Sequence, residues 1–163
     1  IDDFKNKKTD LGFGPKVENN EMEFLPIIKE EMVVIVPKKH PLAIKKIVSL
    51  RELANEPIIC YSYNCGTRYY IDKLFILENI IPSIVQEVEN EKMMASLVSA
   101  GIGIGILPLI PELSIYDVAT LKFDTSKYNR TLFMFWPKNE FMLPVVNNFK
   151  NFVIDTVSSC EDL

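Results

Sequence analysis

The run IVQEVENEKMMASLVSAGIGIGILP, residues 84–108, decides the fold. It divides into a buried strand, a polar turn, an amphipathic helix, a glycine turn and a second buried strand. Ile84, Val85 and Val88 form an apolar run too short for a helix and rich in β-branched residues. After Asn90 the period changes, and Met94, Leu97 and Val98 recur at helical i, i+3, i+4 spacing. Gly101 falls where a helix C-terminus takes a left-handed residue. Residues 102–107 alternate isoleucine with glycine, and a strand without Cβ atoms lets a packed neighbour come close. Strand, helix and strand joined by a short crossover predict a right-handed βαβ unit with parallel strands. Ligands gather at the carboxyl ends of such strands, which here means Glu89, Asn90 and the start of the helix.

Outward from this unit, strands are expected at residues 10–14, 24–28, 32–36, 57–61, 118–123 and 131–136. Helices are expected over 67–79, with Thr67 as N-cap, and over 144–157, with the buried stripe Val146, Phe149, Val153 and Val157. Ser49 and Glu52 have capping-box spacing. Strands alternating with helices give an α/β class with mostly parallel sheets. The extended runs 32–36 and 131–136 bracket the middle of the chain and predict a lobe inserted into another. Residues 37–131 would form one lobe, with a parallel sheet from 57–61, 84–88 and 102–107. Residues 1–36 and 132–163 would form the other. The strand at 10–14 calls for parallel neighbours earlier in a chain, and Ile1 is not a start methionine, so the sequence reads as a piece of something longer.

Composition narrows the function classes. The 163 residues are 48% hydrophobic and carry a net charge of −4, a balance that does not itself attract nucleic acid. No apolar run approaches the length of a membrane span, and no secretory signal opens the chain. Cys60, Cys65 and Cys160 are odd in number and have no metal-like spacing, so free thiols in a reduced, cytoplasmic setting are expected. GIGIGILP ends a helix and opens a strand, the reverse of a dinucleotide fingerprint, and reads as tight packing. His40, the only histidine, precedes a proline in a basic loop and reads as solvated, and no Ser-His-Asp or Cys-His arrangement is found around it. Glu87, Glu89 and Glu91 alternate along a strand end and read as solvated. SYNCGTR is the most suggestive polar stretch: hydroxyls, an amide and unpaired backbone N–H groups meet at a helix N-terminus, a place that favours anions.

The order of motifs resembles the effector-binding domain of LysR-type transcriptional regulators. The matching pieces are KTDLGFG, EEMVVIVPKKHPLA, VSLRELANEPII, GTRYYIDKLFILENIIPSIVQEVEN and MMASLVSAGIGIGILP, followed by the run from Arg130 to Lys138 and FKNFV. The resemblance implies a type 2 periplasmic-binding-protein-like α/β fold of two subdomains joined by two crossing segments. It implies a small-molecule effector, a dimer or tetramer, and promoter DNA bound through an N-terminal winged helix-turn-helix that this sequence does not contain. The effector positions it implies are Gly14 and Pro15 after DLGFG, Ser62, Asn64, Cys65, Gly66 and Thr67 in the SYNCGT turn, and Glu89 and Asn90. No catalytic residue, metal, cofactor or membrane partner is expected. A solute-binding protein of a transport system with the same fold is the alternative reading.

Overall fold

A computed structural model describes residues 2–160, without the side chains of Asp2 and Cys160. The expected free thiol of Cys160 therefore lies outside the described residues. In chain order the elements are α1 (Asp2–Lys5), β1 (Gly12–Pro15), β2 (Met22–Glu30), β3 (Met32–Pro37), β4 (Ile47–Val48) and β5 (Pro57–Tyr61). They continue with α2 (Gly66–Leu77), β6 (Ser83–Val88), α3 (Glu91–Ser99) and β7 (Ile104–Pro108). The last are β8 (Val118–Phe123), β9 (Arg130–Pro137) and α4 (Pro144–Cys160). No helix among the described residues is long and apolar enough to cross a membrane.

The chain divides into two compact units, Glu30–Arg130 and the pair of segments Ile1–Lys29 and Thr131–Leu163. The middle unit holds a six-stranded sheet in the order β4-β8-β3-β7-β5-β6. Strand β5 runs parallel to both β6 and β7, which are the three parallel strands expected from the deciding stretch. Strand β3 corrects one expectation. Read as a crossing segment that would leave the middle lobe at residue 37, it instead lies between β7 and β8, antiparallel to both. The cause is its composition: five consecutive apolar residues, 32–36, are all buried, as a strand covered on both faces requires. Strand β6 corrects another. It forms an edge, so only Val88 is buried and Val85 is 47% exposed.

The helix–strand joint after α3 follows its sequence closely. Gly101 has φ +78°, with Gly101 N–H donating to the Val98 carbonyl at 2.9 Å and Ile102 N–H to the Leu97 carbonyl at 3.1 Å. These are the paired bonds of a Schellman end, which needs a left-handed residue. A Cβ at Gly101 meets nothing within 4 Å. Gly101→Ala is therefore expected to cost about 1–2 kcal/mol from backbone strain alone, measured by urea unfolding. A loss indistinguishable from zero would show that the left-handed turn is not held. Gly105 serves packing instead: a Cβ there would sit 2.6 Å from Met94 Sδ and 3.3 Å from Ile35 Cγ1. The structural context thus supports close approach rather than a phosphate loop.

In the discontinuous unit the sheet order is β1-β9-β2. Strand β1 pairs antiparallel with β9. Phe4, Met22 and Met134 are buried in its small core, and the Phe135 ring lies 5.6 Å from that of Phe4 and 5.4 Å from that of Phe24. Helix α4 brings Phe149 to Phe13 at 6.4 Å. Its apolar stripe is less buried than expected: Val146, Val153 and Val157 are half-buried and Phe149 is 48% exposed. Three strands offer a narrow surface for a seventeen-residue helix.

Candidate functional site

Two polar turns meet at the carboxyl edge of the parallel strands of the middle unit. Tyr61 and Val88 are the last paired residues of β5 and β6. Beyond them, Ser62 N–H donates to the Val88 carbonyl at 2.9 Å, and Cys65 N–H to the Ser62 carbonyl at 3.0 Å. The structure thus brings Ser62, Asn64, Cys65, Gly66 and Thr67 to the same edge as Glu89 and Asn90. Cys65 is the N-cap of α2 and makes no side-chain cap bond. The Ser62 hydroxyl oxygen is buried without a hydrogen-bond partner. Asn90 is the N-cap of α3, with its side-chain oxygen accepting from Met93 N–H at 3.0 Å.

Several expectations change in detail. Thr67 is not the N-cap; it lies inside the first turn of α2, buried, with its hydroxyl oxygen accepting from Arg130 Nη1 at 2.5 Å. Gly14 and Pro15 are not in a loop. They are half-buried β1 residues paired with Phe133 and Leu132 of β9, because the extended run continues one residue past DLGFG. The three glutamates do not share one solvated face, since the strand ends at Val88 and Glu91 opens α3. Glu87 accepts from Arg68, and Glu91 accepts from the Tyr61 hydroxyl at 2.9 Å. Burial, then the Glu91 charge and hydrogen bond, push the Tyr61 hydroxyl far above its ordinary range, so it stays a neutral donor. Cys60 and Cys65 are free thiols. Burial pushes the Cys60 thiol up to about 11, so at neutral pH it packs rather than reacts.

Three groups escaped sequence reasoning, two of them behind the turns and one at the far end of α2. Arg68, with 3% of its side chain exposed, holds Asp72, Glu87 and the Tyr61 carbonyl. Its signal was present, since Asp72 stands four residues later on one helix face. Arg130 bonds Thr67 and the Glu30 carboxylate, partners 63 and 100 residues away, and no local pattern announces that. Glu78, just past α2, accepts from Lys127 Nζ and the Tyr128 hydroxyl, and those bonds hold its carboxyl down at about 2. A carboxyl depressed in the fold stabilises it fully above the ordinary carboxylate value of 4.5, and this stability is lost progressively as pH falls from there through about 2. That contact therefore persists across neutral pH.

The family model for the LysR substrate binding domain matches residues 1–158. The chain belongs to that family. Among curated relatives it is 33% identical over 139 residues to the HTH-type transcriptional regulator YybE of Bacillus subtilis (strain 168), covering 85% of this chain and 48% of the relative. The LysR-family chain thus spans about half the length of the curated relatives it matches. Among solved structures, the effector binding domain of QuiR in complex with shikimate is 38% identical. Its TM-score is 0.87, over 97% of this chain and 76% of that one. The regulatory domain of Synechocystis PCC6803 CcmR in complex with 2-PG is 19% identical with a TM-score of 0.83, over 96% and 77% of the chains, and speaks for the fold alone. The type 2 periplasmic-binding-protein-like architecture expected from the motifs is therefore the one observed. YybE is by name a transcriptional regulator and the QuiR structure an effector binding domain; neither is a transport-system solute-binding protein.

Proposed function

We propose that this chain is the ligand-sensing part of a LysR-type transcriptional regulator, taking a small organic anion at the edge formed by Ser62, Asn64, Cys65, Gly66, Thr67, Glu89 and Asn90. Gly14 and Pro15, which the family resemblance also implies as effector positions, belong to the other compact unit. The observation that carries the reading is the Ser62 hydroxyl, buried without a partner beside the N-terminus of α2, which has no side-chain cap. Buried polar groups are nearly always satisfied, so an orphan at a ready-made anion site argues for a ligand atom there. Shikimate, the ligand of the 38% identical QuiR domain, is a small carboxylate bearing hydroxyls and is the first compound to try. In this reading the whole regulator works in the cytoplasm as a homo-oligomer. It binds promoter DNA through a part other than this chain, and the chain itself has no catalytic role.

Ser62→Ala provides the test. Removing an unpaired hydroxyl should leave the midpoint of thermal unfolding unchanged or slightly raised, because no bond within the chain is lost. Shikimate affinity, measured by calorimetry, should fall by about 0.5–1.5 kcal/mol, roughly two- to twelve-fold. Equal affinity for wild type and variant would remove Ser62 from the site.

A further inference from the structure

Helix α2 and its C-cap are fastened to one short segment, residues 127–130. Beyond its C-terminal end, Glu78 accepts from Lys127 Nζ at 2.6 Å and from the Tyr128 hydroxyl at 2.7 Å. Midway, the Tyr70 hydroxyl donates to the Asn129 carbonyl at 3.1 Å. In the first turn, Arg130 Nη1 donates to Thr67 Oγ1 at 2.5 Å. Arg130 Nε also donates to the Glu30 carboxylate, and Asn129 Oδ1 accepts from Met32 N–H at 3.3 Å. Among the described residues the chain passes between its two compact units after Lys29 and after Arg130. Glu30 and Arg130 are therefore the first and last residues of the middle unit, and they are bonded to each other.

Burying this guanidinium, with 9% of its side chain exposed, is costly unless charged and polar acceptors receive it. Its two acceptors have different jobs: one lies in the first turn of α2 and the other at the opposite chain crossing. A planar fork of donors can serve both at once, whereas a lysine ammonium on a flexible stem does so poorly. With Arg130 donating to the Thr67 oxygen, the Thr67 hydroxyl hydrogen is left for another acceptor. Hydrogen bonds in such a chain strengthen one another.

We propose that Arg130 is the positioning residue that couples the Ser62–Thr67 turn to both chain crossings, holding Thr67 and Glu30 so that a change at the turn is felt at residues 30 and 130 together. This rests on the reading of that turn as the ligand-facing one. A ligand atom that accepts the Thr67 hydrogen reinforces the Arg130–Thr67 bond, and by reciprocity an intact Arg130–Glu30 pair favours that ligand.

The test follows backbone amide resonances of the chain. Thr67→Val should shift the amides of Glu30 and Glu31 in the wild-type background. The same substitution in an Arg130→Gln background should leave them unmoved. Arg130→Lys, which keeps the charge without the fork, is the second background should Arg130→Gln fail to fold, and the same result is expected there. An Arg130 with a merely structural role would lower the unfolding temperature yet leave the Thr67-to-Glu30 response in place, and that outcome overturns the proposal. In a second arm shikimate is titrated into wild type and Arg130→Lys. Joint movement of turn and Glu30–Glu31 amides in wild type, with turn amides moving alone in the variant, supports the coupling. Joint movement in both proteins overturns it. Shikimate moving no amide counts against the ligand reading alone, and the Thr67→Val comparison still decides the role of Arg130.

Discussion

Ile35→Ala is expected to lower the stability of the chain by about 2–5 kcal/mol, the range for truncating a large aliphatic side chain where the core cannot close over the gap. Ile35 is fully buried, and its backbone sits between Gly105 of β7 and Thr120 of β8. Neighbours therefore occupy both edges of its strand. On the side of Gly105 its Cγ1 shares a tight space with Met94. Neither strand can slide inward without breaking a ladder, so the cavity stays open. For a chain of this size each kcal/mol moves the unfolding midpoint by roughly 2–4 °C. Ile44→Ala is the control, since Ile44 is 91% exposed and its loss should fall within about 0.5 kcal/mol. Urea unfolding of the two variants decides the matter. Similar losses for both would mean that β3 is peripheral, as a crossing segment would be.

That contrast also marks where the sequence could be read and where it could not. Strand 84–88, helix 91–100 and the glycine-rich strand after it were legible because each carries its own period and its own stop signal. Strand β5 was legible for the same reason, down to both of its ends. The central place of β3 has its own signal in composition rather than in position, since five apolar residues without alternation describe a strand covered on both faces. The edge position of β6 was not legible, because pairing order is set by partners far away in the chain. The site divides in the same way. The turns at Ser62–Thr67 and Glu89–Asn90 follow from strand ends meeting helix starts, a local pattern. Their supports, Arg130 on Thr67 and Tyr61 on Glu91, join residues 63 and 30 positions apart and appear only once the sheet is assembled.

Arg68→Met should disturb the turn as well as the fold. The arginine Nε bonds both oxygens of Asp72 at 2.9 and 3.0 Å, while Nη1 bonds the Tyr61 carbonyl at 2.9 Å and Glu87 at 2.7 Å. The exposed Tyr63 ring lies over the guanidinium, 3.8 Å from its carbon. Burial works against this charge, but hydrogen bonds to Glu87 and Asp72 keep it fully protonated, above the ordinary arginine range. Methionine keeps most of the length and loses every donor. Breaking a buried pair from one side costs about 3–5 kcal/mol when the orphaned charge stays dry. Here Asp72 and Glu87 keep 33% and 39% of their side chains exposed. Water recovers much of their solvation, and the expected loss is about 2–3 kcal/mol. The Tyr61 carbonyl and the Tyr63 ring lose the group that pins them, so amides of residues 62–66 should exchange faster than in wild type. Removing one stranded charge should recover part of the loss, so Arg68→Met with Glu87→Gln should be less destabilised than the sum of the single changes. Additive losses, with unchanged exchange at residues 62–66, would show that Arg68 fills space beneath the turn without holding it.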